Sequence, residues 1–310
     1  METKKITGDT NYEVSVIGFG CAAIGGYDYG SINDKDSLNA INEAWNSGIN
    51  LFDISDIYGL GNAERILSAG LGKNCKDAII SSKFGLRQDN SGEIFRDSSV
   101  NWLEQALHGS LKRLNIEQIP IYLIHWYDEK TPLEELISSL QKYKSQGKIG
   151  RYGACNLSSN QYHEFYKLGG ENSLQLPFSL VDKSYTPLFQ EASRGERSLT
   201  MAYDVLGRGI LTGKYNDSFK FSGTDTRPKH KYFKGENLKK NLKLADKLKN
   251  IANAHGVTPA QVAIRWVVDM NFVDVALVGC KTPDQVLNNV DIFNFDISKV
   301  DKKALFELAC

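Results

Sequence analysis

The 310-residue chain is predicted to fold as one α/β domain over residues 1–310, a (β/α)₈ TIM barrel preceded by a short β-hairpin. Two observations predict this class. From Ile17 onward, eight short apolar runs of strand character alternate with helical or connecting sequence. No linker rich in proline, glycine or serine divides the chain, and eight strands in this length suit a closed barrel better than an open sheet.

Local patterns predict each element in turn. The hairpin is expected from Lys4–Thr7 and Tyr12–Val16 around a turn at Gly8–Asn11. The barrel strands are expected at Ile17–Gly20, Leu51–Asp53, Ala78–Lys83, Ile119–His125, Gly150–Ala154, Leu174–Pro177, Ser198–Tyr203 and Val273–Val278. Apolar residues at helical spacing predict helices at Asp34–Gly48, Ala63–Leu71, Ser98–Leu114, Pro132–Gln146, Ser159–Leu168, Leu188–Arg194, Leu238–His255, Pro259–Met270 and Pro283–Phe293.

One long irregular segment, Asp204–Gly235, separates the seventh barrel strand from its helix. Loops of this length are uncommon in compact domains and are usually functional, so the segment is interpreted as a lid or binding loop. A solvated basic surface loop is the alternative, because the segment carries Arg227, Lys229, His230 and Lys231.

The composition excludes several classes of protein. Lysine and arginine total 37, as do aspartate and glutamate, so no net field attracts nucleic acid or an anionic membrane. The five cysteines include no C-x-x-C pair and the five histidines no H-E-x-x-H motif, which predicts reduced thiols and no metal site. Met1–Lys5 is charged and no apolar run could cross a bilayer, so we expect a cytoplasmic protein without signal peptide or membrane partner.

Ionisable side chains stand at or just after three predicted strand ends. Asp53 ends the second strand, Lys83 the third and His125 the fourth, while Tyr58 follows Asp53 by five residues. The carboxyl ends of parallel barrel strands meet at one face, where active sites of such barrels lie. These residue types suit general acid catalysis. A phenol can give a proton, a cation and an imidazole can tune its pKa, and a carboxylate can hold the cation. The alternative is a set of unrelated capping, packing and solvated side chains.

Two glycine-rich segments approach nucleotide-binding motifs without satisfying them. Gly18–Ala23 fits G-x-G-x-x-A, but helical periodicity begins only near Asp34, whereas that fingerprint needs a helix at once. Gly207–Lys214 approaches an ATPase phosphate loop, but Tyr215 stands where magnesium needs a serine or threonine. Neither a Rossmann domain nor an ATPase is therefore predicted.

Seven segments in order resemble the motifs of the aldo-keto reductase family. They are Phe52–Gly59 with Asn62–Glu64, Ser82–Gly85, Ile124–Trp126, Gly147–Asn156, Gln175, Gly207–Tyr215 and Gly279–Gln285. The resemblance covers essentially the whole chain. It implies a carbonyl reductase that uses NADP(H) on a (β/α)₈ barrel and acts on a small-molecule carbonyl substrate.

The resemblance also assigns roles. Tyr58 would donate the proton, and because a phenol's pKa lies near 10, Lys83, held by Asp53, would favour its ionised form. His125 would orient the carbonyl. Asn156 and Gln175 would bind the cofactor's carboxamide, and Tyr203 would stack on the nicotinamide. The loop from Asp204 to Lys214 would cradle the pyrophosphate. The residues around the adenosine 2′-phosphate would be Lys281, Thr282, Gln285 and Asn289. The implied cofactor-binding residues are Gly20, Cys21, Asn156, Gln175, Tyr203, Asp204, Leu206, Gly207, Gly209, Leu211, Lys214, Gly279, Lys281, Thr282, Gln285 and Asn289.

The chain departs from the family pattern at a few positions. Cys155 replaces a serine that usually precedes the asparagine, and Asp204-Val205 replaces a common Ser-Pro. Gln285 stands where some members carry arginine, which leaves Lys281 as the principal cation of that motif.

Two other functions remain open: a cofactor-binding regulatory subunit, and a sugar dehydrogenase working in the oxidative direction. Oligomeric state is left open as well. Polar residues in the loops Tyr27–Ile32 and Leu86–Phe95 hint at a sugar or nucleotide-sugar carbonyl as substrate. They are Asp28, Arg87, Asp89, Asn90 and Glu93.

Overall fold

The computed structural model describes residues 1–7, 11–26, 32–195, 198–216, 219, 221 and 225–308. The strands of these residues are β1 Thr3–Ile6, β2 Tyr12–Ser15, β3 Ile17–Gly20, β4 Leu51–Asp53, β5 Ile79–Phe84, β6 Leu86–Gln88, β7 Ile94–Arg96, β8 Ile119–Ile124, β9 Ile149–Cys155, β10 Ser173–Pro177, β11 Leu199–Tyr203 and β12 Val275–Gly279. The α-helices are α1 Asp34–Asn46, α2 Asn62–Leu71, α3 Val100–Leu114, α4 Leu133–Ser145, α5 Ser159–Lys167, α6 Thr186–Ala192, α7 Gly235–His255, α8 Pro259–Val268, α9 Pro283–Val290 and α10 Lys299–Leu308.

Eight parallel strands close into a barrel in the order β10-β11-β12-β3-β4-β5-β8-β9. The predicted (β/α)₈ fold is therefore confirmed. The predicted hairpin is confirmed too, as an antiparallel pair of β1 and β2 in which Thr3 faces Ser15. Its expected turn includes residues 8–10, which lie outside the described residues.

The barrel interior explains why the strand-end residues converge. Side chains alternate between the two faces of a strand, so Asp53 points to the same side as Leu51, and Lys83 to the same side as Ile79. Leu51 and Ile79 belong to a buried apolar cluster distinct from the layer between barrel and helices. Val14 of the hairpin joins the same cluster, so the hairpin closes one end of the barrel.

Several bounds and two elements differ from the sequence prediction. The predicted loop Leu86–Phe95 contains an antiparallel hairpin of β6 and β7, and the unassigned C-terminal segment forms α10. The residues of β6 and β7 are half-buried or exposed and show no clear apolar alternation, and α10 buries only Leu305 fully, so its apolar pattern is weak. In the described part of the segment Asp204–Gly235, short 3₁₀-helices lie at Gly207–Thr212, Arg227–Lys229 and Lys231–Phe233.

No helix among the residues that the structure describes is long and apolar enough to traverse a bilayer.

Candidate active site

The best-defined feature at the carboxyl end of the barrel is a buried ion pair. Lys83 Nζ lies 2.7 Å from Asp53 Oδ2 and donates a second hydrogen bond to the Ile54 carbonyl at 2.7 Å. The other Asp53 oxygen accepts from Gln175 Nε2 at 2.7 Å. Lys83 is fully buried and Asp53 is 5% exposed. Because both carboxylate oxygens are engaged, Lys83 is held in one position.

Tyr58 stands directly above this pair. The Lys83 ammonium lies 5.2 Å from the centroid of the Tyr58 ring. Tyr58 opens a 3₁₀ turn in which Gly59 adopts φ 56°, and a Cβ at Gly59 would collide with the carbonyl oxygen of Gly25. Only glycine allows the chain to pass this close. The turn thus fixes the phenol at the strand end where the sequence placed it.

His125 completes the group. Its ring meets the Tyr58 ring edge-on, with centroids 5.8 Å apart. Its Nδ1 lies 3.2 Å from the Ser55 hydroxyl, and its backbone N–H donates to the Phe84 carbonyl at 2.6 Å. Burial, and then the Lys83 charge, hold the pKa of His125 well below its ordinary value of 6.5. The imidazole is therefore neutral at neutral pH.

Two amides and a second phenol lie beside this group. The Tyr203 hydroxyl donates to Asn156 Oδ1 at 2.7 Å, and Asn156 Nδ2 donates to the His125 carbonyl at 3.0 Å. Gln175 Oε1 accepts a weak contact from Cys155 Sγ at 3.7 Å. Each amide retains a second N–H that a ligand could use.

These side chains line one end of a cavity of about 860 Å³. Three cations line its other end: Lys214, Arg227 and Lys281. Burial, and then the neighbouring Arg227, lower the pKa of both lysines. Arg227 therefore lies near both lysines, and although its partner Asp225 offsets one charge, the cations leave an excess of positive charge that favours an anion.

A glycine-rich turn after β11 also lines the cavity. Asp204 (φ 55°) and Arg208 (φ 55°) both adopt left-handed backbone conformations, and Arg208 Nε lies 3.3 Å from Asp204 Oδ2. Gly209, with φ 94°, faces the cavity without a side chain. At the ends of the neighbouring strands β3 and β12, Gly20 and Gly279 pair in register, and both line the cavity as bare backbone.

The start of α9 borders the cationic end. Thr282 is its N-cap, and its hydroxyl accepts from the Gln285 N–H at 3.4 Å. The Gln285 side chain accepts from the Lys281 backbone N–H at 2.8 Å. Asn289 is buried and donates to Cys280 Sγ at 3.0 Å.

Comparison with known proteins decides the relationship. The family model described as "Aldo/keto reductase family" matches residues 16–309. The chain belongs to the aldo/keto reductase family. Its relatives in this family of oxidoreductases include the aldo-keto reductase yakc of Schizosaccharomyces pombe, which is named for NADP(+), at 30% identity over 99% of this chain and 91% of that protein. Another is the NADH-specific methylglyoxal reductase of Escherichia coli, at 27% identity over 99% and 98%.

A solved structure of a glycerol dehydrogenase from Gluconobacter oxydans matches the aldo/keto reductase fold of this chain with a TM-score of 0.87. It shares 31% sequence identity, over 99% of this chain and 94% of the other.

Most of the residues that the family resemblance implied line the cavity. They are Gly20, Asp53, Tyr58, His125, Asn156, Gln175, Tyr203, Asp204, Leu206, Gly209, Lys214, Gly279, Lys281, Gln285 and Asn289. Lys83 lies behind the wall, where it contacts Asp53. Cys21, Gly207, Leu211 and Thr282 are not among the lining residues, and Cys21 and Leu211 are fully buried.

Some lining residues carry no sequence motif that points to the site. Arg227 belongs to a basic stretch of the loop, yet it lines the cavity while its guanidinium donates to Asp225 and the Tyr215 hydroxyl. Thr258 and Asn288 also line it and hydrogen-bond each other at 3.1 Å. Only the basic character of the loop could have drawn attention to Arg227.

The cavity that Tyr58 and His125 line also has apolar lining residues. These are Ile57, Leu86, Ile94 and Trp126. The polar hairpin residues that suggested a sugar substrate are exposed instead; these are Arg87, Asp89, Asn90 and Glu93. Asp28 and most of the predicted loop Tyr27–Ile32 lie outside the described residues. These four polar residues are therefore not among the residues that line the cavity.

Proposed function

We propose that this aldo/keto reductase reduces a small aldehyde or ketone with NADPH, and that Tyr58 donates the proton. The observation that carries the proposal is the buried Lys83–Asp53 pair beneath the Tyr58 ring, at a strand-end cavity. Burying an ion pair costs desolvation energy, so a pair that does not improve stability suggests a chemical role.

The cavity suits a nicotinamide dinucleotide. One end offers amide groups of Asn156 and Gln175 and the ring of Tyr203; the other offers the three cations and bare glycine backbone. A ligand with a carboxamide-bearing ring at one end and phosphates at the other matches this order of donors. Such a cofactor, when bound, supplies the hydride.

The protein's own residues control the proton. A neutral phenol gives its proton to the developing alkoxide, and the Lys83 charge stabilises the phenolate left behind. Asp53 holds that ammonium through one oxygen while Gln175 satisfies the other. His125, neutral in this environment, can add a second hydrogen bond to the carbonyl oxygen.

The preference for NADPH is proposed from the cationic end. Arg227 is ion-paired with Asp225, whereas Lys214 and Lys281 add positive charge beside it, which a 2′-phosphate next to the pyrophosphate would match. Relatives bear names for both NADP(+) and NADH, so family membership alone leaves the choice open.

For the substrate we propose a small carbonyl compound with an apolar flank. The side chains of Ile57, Leu86, Ile94 and Trp126 around the catalytic end support this in place of a sugar. A second candidate is oxidation of a polyol, which the likeness to a glycerol dehydrogenase supports. The same residues serve both directions by microscopic reversibility.

A steady-state assay tests the proposal. NADPH consumption is followed with a panel of aliphatic and aromatic aldehydes, sugars and, in reverse, polyols with NADP⁺. We expect turnover with small apolar aldehydes to exceed that with sugars. Tight NADPH binding without turnover on any of these compounds would instead support a cofactor-binding regulatory subunit and contradict the proposed enzyme.

A further inference from the structure

A chain of hydrogen bonds leads from His125 away from the cavity. His125 Nδ1 lies 3.2 Å from Ser55 Oγ, and Ser55 Oγ donates to Asp56 Oδ1 at 3.0 Å. Ser55 is fully buried and Asp56 is 8% exposed. The proton donation and cofactor binding proposed above use neither residue.

The single proton of the serine hydroxyl links the two contacts. While Asp56 is ionised, it takes that proton, so Ser55 Oγ must accept from His125 and the imidazole proton sits on Nδ1. Once Asp56 is protonated, it can donate to Ser55, Ser55 can donate to Nδ1, and the imidazole proton sits on Nε2. On ionisation one proton leaves Nε2 for solvent, while Nδ1 gains the Ser55 proton and Ser55 gains that of Asp56.

We infer that Ser55 transmits the protonation state of Asp56 to the tautomer of His125, and that Asp56 is therefore a positioning residue. With a proton on Nε2, His125 can donate to a carbonyl oxygen, which suits reduction. With a lone pair on Nε2, it can accept from an alcohol hydroxyl, which suits oxidation. The catalytic consequence rests on the proposed function, whereas the change of tautomer does not.

Charged and titratable groups face Asp56 from three neighbouring elements. Glu64 on α2 is fully buried, Arg113 on α3 donates to Glu64 Oε2 at 2.5 Å, and Tyr122 on β8 senses the charges of both carboxyls. Burial, and then the Glu64 charge, raise the pKa of Asp56 to about 7, although Arg113 opposes them. Asp56 therefore titrates in a range that is readily accessible to experiment.

His125 does not ionise in the same range. Burial and the Lys83 charge hold its pKa well below 6.5, so it stays neutral while Asp56 changes state. The event near neutral pH is consequently a movement of the imidazole proton between Nδ1 and Nε2. The buried Tyr122 hydroxyl finds no hydrogen-bond partner among the described residues, so it does not compete for the Asp56 proton.

Nuclear magnetic resonance of ¹⁵N-histidine-labelled protein tests the coupling directly, because long-range ¹H–¹⁵N correlations distinguish the two tautomers. The His125 signals are assigned by their loss in His125→Asn. We expect the Nε2–H form at about pH 5.5 and the Nδ1–H form at about pH 8.5. Ser55→Ala should abolish this pH dependence. Asp56→Asn should hold one tautomer at every pH, because its amide does not titrate.

Ser82→Ala is the matched control. Its hydroxyl is also buried and contacts Glu64 Oε1 at 3.3 Å, so the variant disturbs the same network without touching the Ser55 link. The tautomer change should persist in it. A wild-type tautomer that stays constant over this range, or an equal change in Ser55→Ala, would overturn the inference.

Kinetics then separate the coupling from the proposed reaction. Reductive kcat in the wild type should fall by up to about 10²-fold as pH rises through about 7, and Asp56→Asn should lose that fall. A tautomer change in a protein without turnover would sustain the coupling and contradict the proposed function. Turnover in a protein whose His125 tautomer does not change with pH would support the proposed function and overturn the coupling.

Discussion

Tyr58 is the residue on which the proposed proton transfer depends. Tyr58→Phe keeps the ring beside His125 and above Lys83 but removes the hydroxyl. Reduction should fall by about 10²–10⁴-fold, while NADPH affinity stays nearly unchanged because its proposed contacts lie elsewhere. Steady-state kinetics and fluorescence titration measure the two quantities.

Tyr166→Phe provides the control for that substitution. Tyr166 lies on α5 and is 49% exposed, so loss of its hydroxyl should leave turnover unaltered. Near-full activity in Tyr58→Phe would show that Tyr58 is a packing residue and would remove the proton donor from the mechanism.

The buried ion pair allows stability and catalysis to be separated. Lys83→Met leaves the Asp53 charge buried with only Gln175 as partner, which should lower the free energy of unfolding by about 3–5 kcal/mol. Adding Asp53→Asn should restore much of that stability, measured by urea unfolding, but not the activity.

Combining Lys83→Met with Tyr58→Phe should reduce turnover little further than either substitution alone, because both act on one proton transfer. Additive losses would mean that the two residues act independently.

At the level of elements, we expect the segment between β12 and α9 to govern the choice of cofactor. Lys281→Ala should narrow the difference between NADPH and NADH affinity, because a lysine contact with a 2′-phosphate is largely Coulombic. For the same reason, raised salt should narrow this difference in the wild type. Lys229→Ala removes the same charge from an exposed position on the neighbouring 3₁₀-helix and serves as the control. Equal affinity of the wild type for both cofactors, measured by fluorescence titration, would exclude a 2′-phosphate site.

Two hydrogen bonds hold the segment Asp204–Gly235 against Asp182, which follows β10. The Asp182 carboxylate accepts from Lys231 Nζ at 2.7 Å and from the Tyr232 hydroxyl at 3.0 Å. Because Lys214 and Arg227 of this segment line the cavity, bound NADPH should protect it from trypsin. Cleavage at Lys303 in α10, far along the chain, should be unaffected. Unchanged cleavage within the segment would favour an ordinary surface loop.

For the whole molecule, Asp56 makes stability depend on pH. Its pKa is raised from 3.8 to about 7 in the folded state, so its contribution is fully present below pH 3.8 and is lost as pH rises through about 7. Asp56→Asn should remove this pH-dependent contribution to the free energy of unfolding, which is on the order of a few kcal/mol between these limits. Relative to the wild type, the variant should therefore be more stable at about pH 8 than at low pH. Urea unfolding across this range measures it, with exposed Asp246→Asn as the control. Parallel curves for wild type and Asp56→Asn would show that Asp56 ionises normally.

The sequence alone determined the barrel and the end of it that carries the chemistry. Strand side chains alternate with a period of two and parallel strands end at a common face, so apolar runs that end at Asp53, Lys83 and His125 were sufficient to bring these residues together. The pairing of Lys83 with Asp53, expected from the sequence, is present at 2.7 Å.

Only the tertiary structure decided what those residues touch besides one another. Ser55 meets His125 across 70 positions and Gln175 meets Asp53 across 122, contacts that closure of the barrel creates and no local pattern encodes. The hairpin of β6 and β7 turned Leu86 and Ile94 toward the cavity and left the polar residues between them in solvent. Burial and the charge of Glu64 on α2 raised the pKa of Asp56, which lies in the turn after β4. Such effects depend on distance and desolvation in three dimensions, which sequence spacing does not specify.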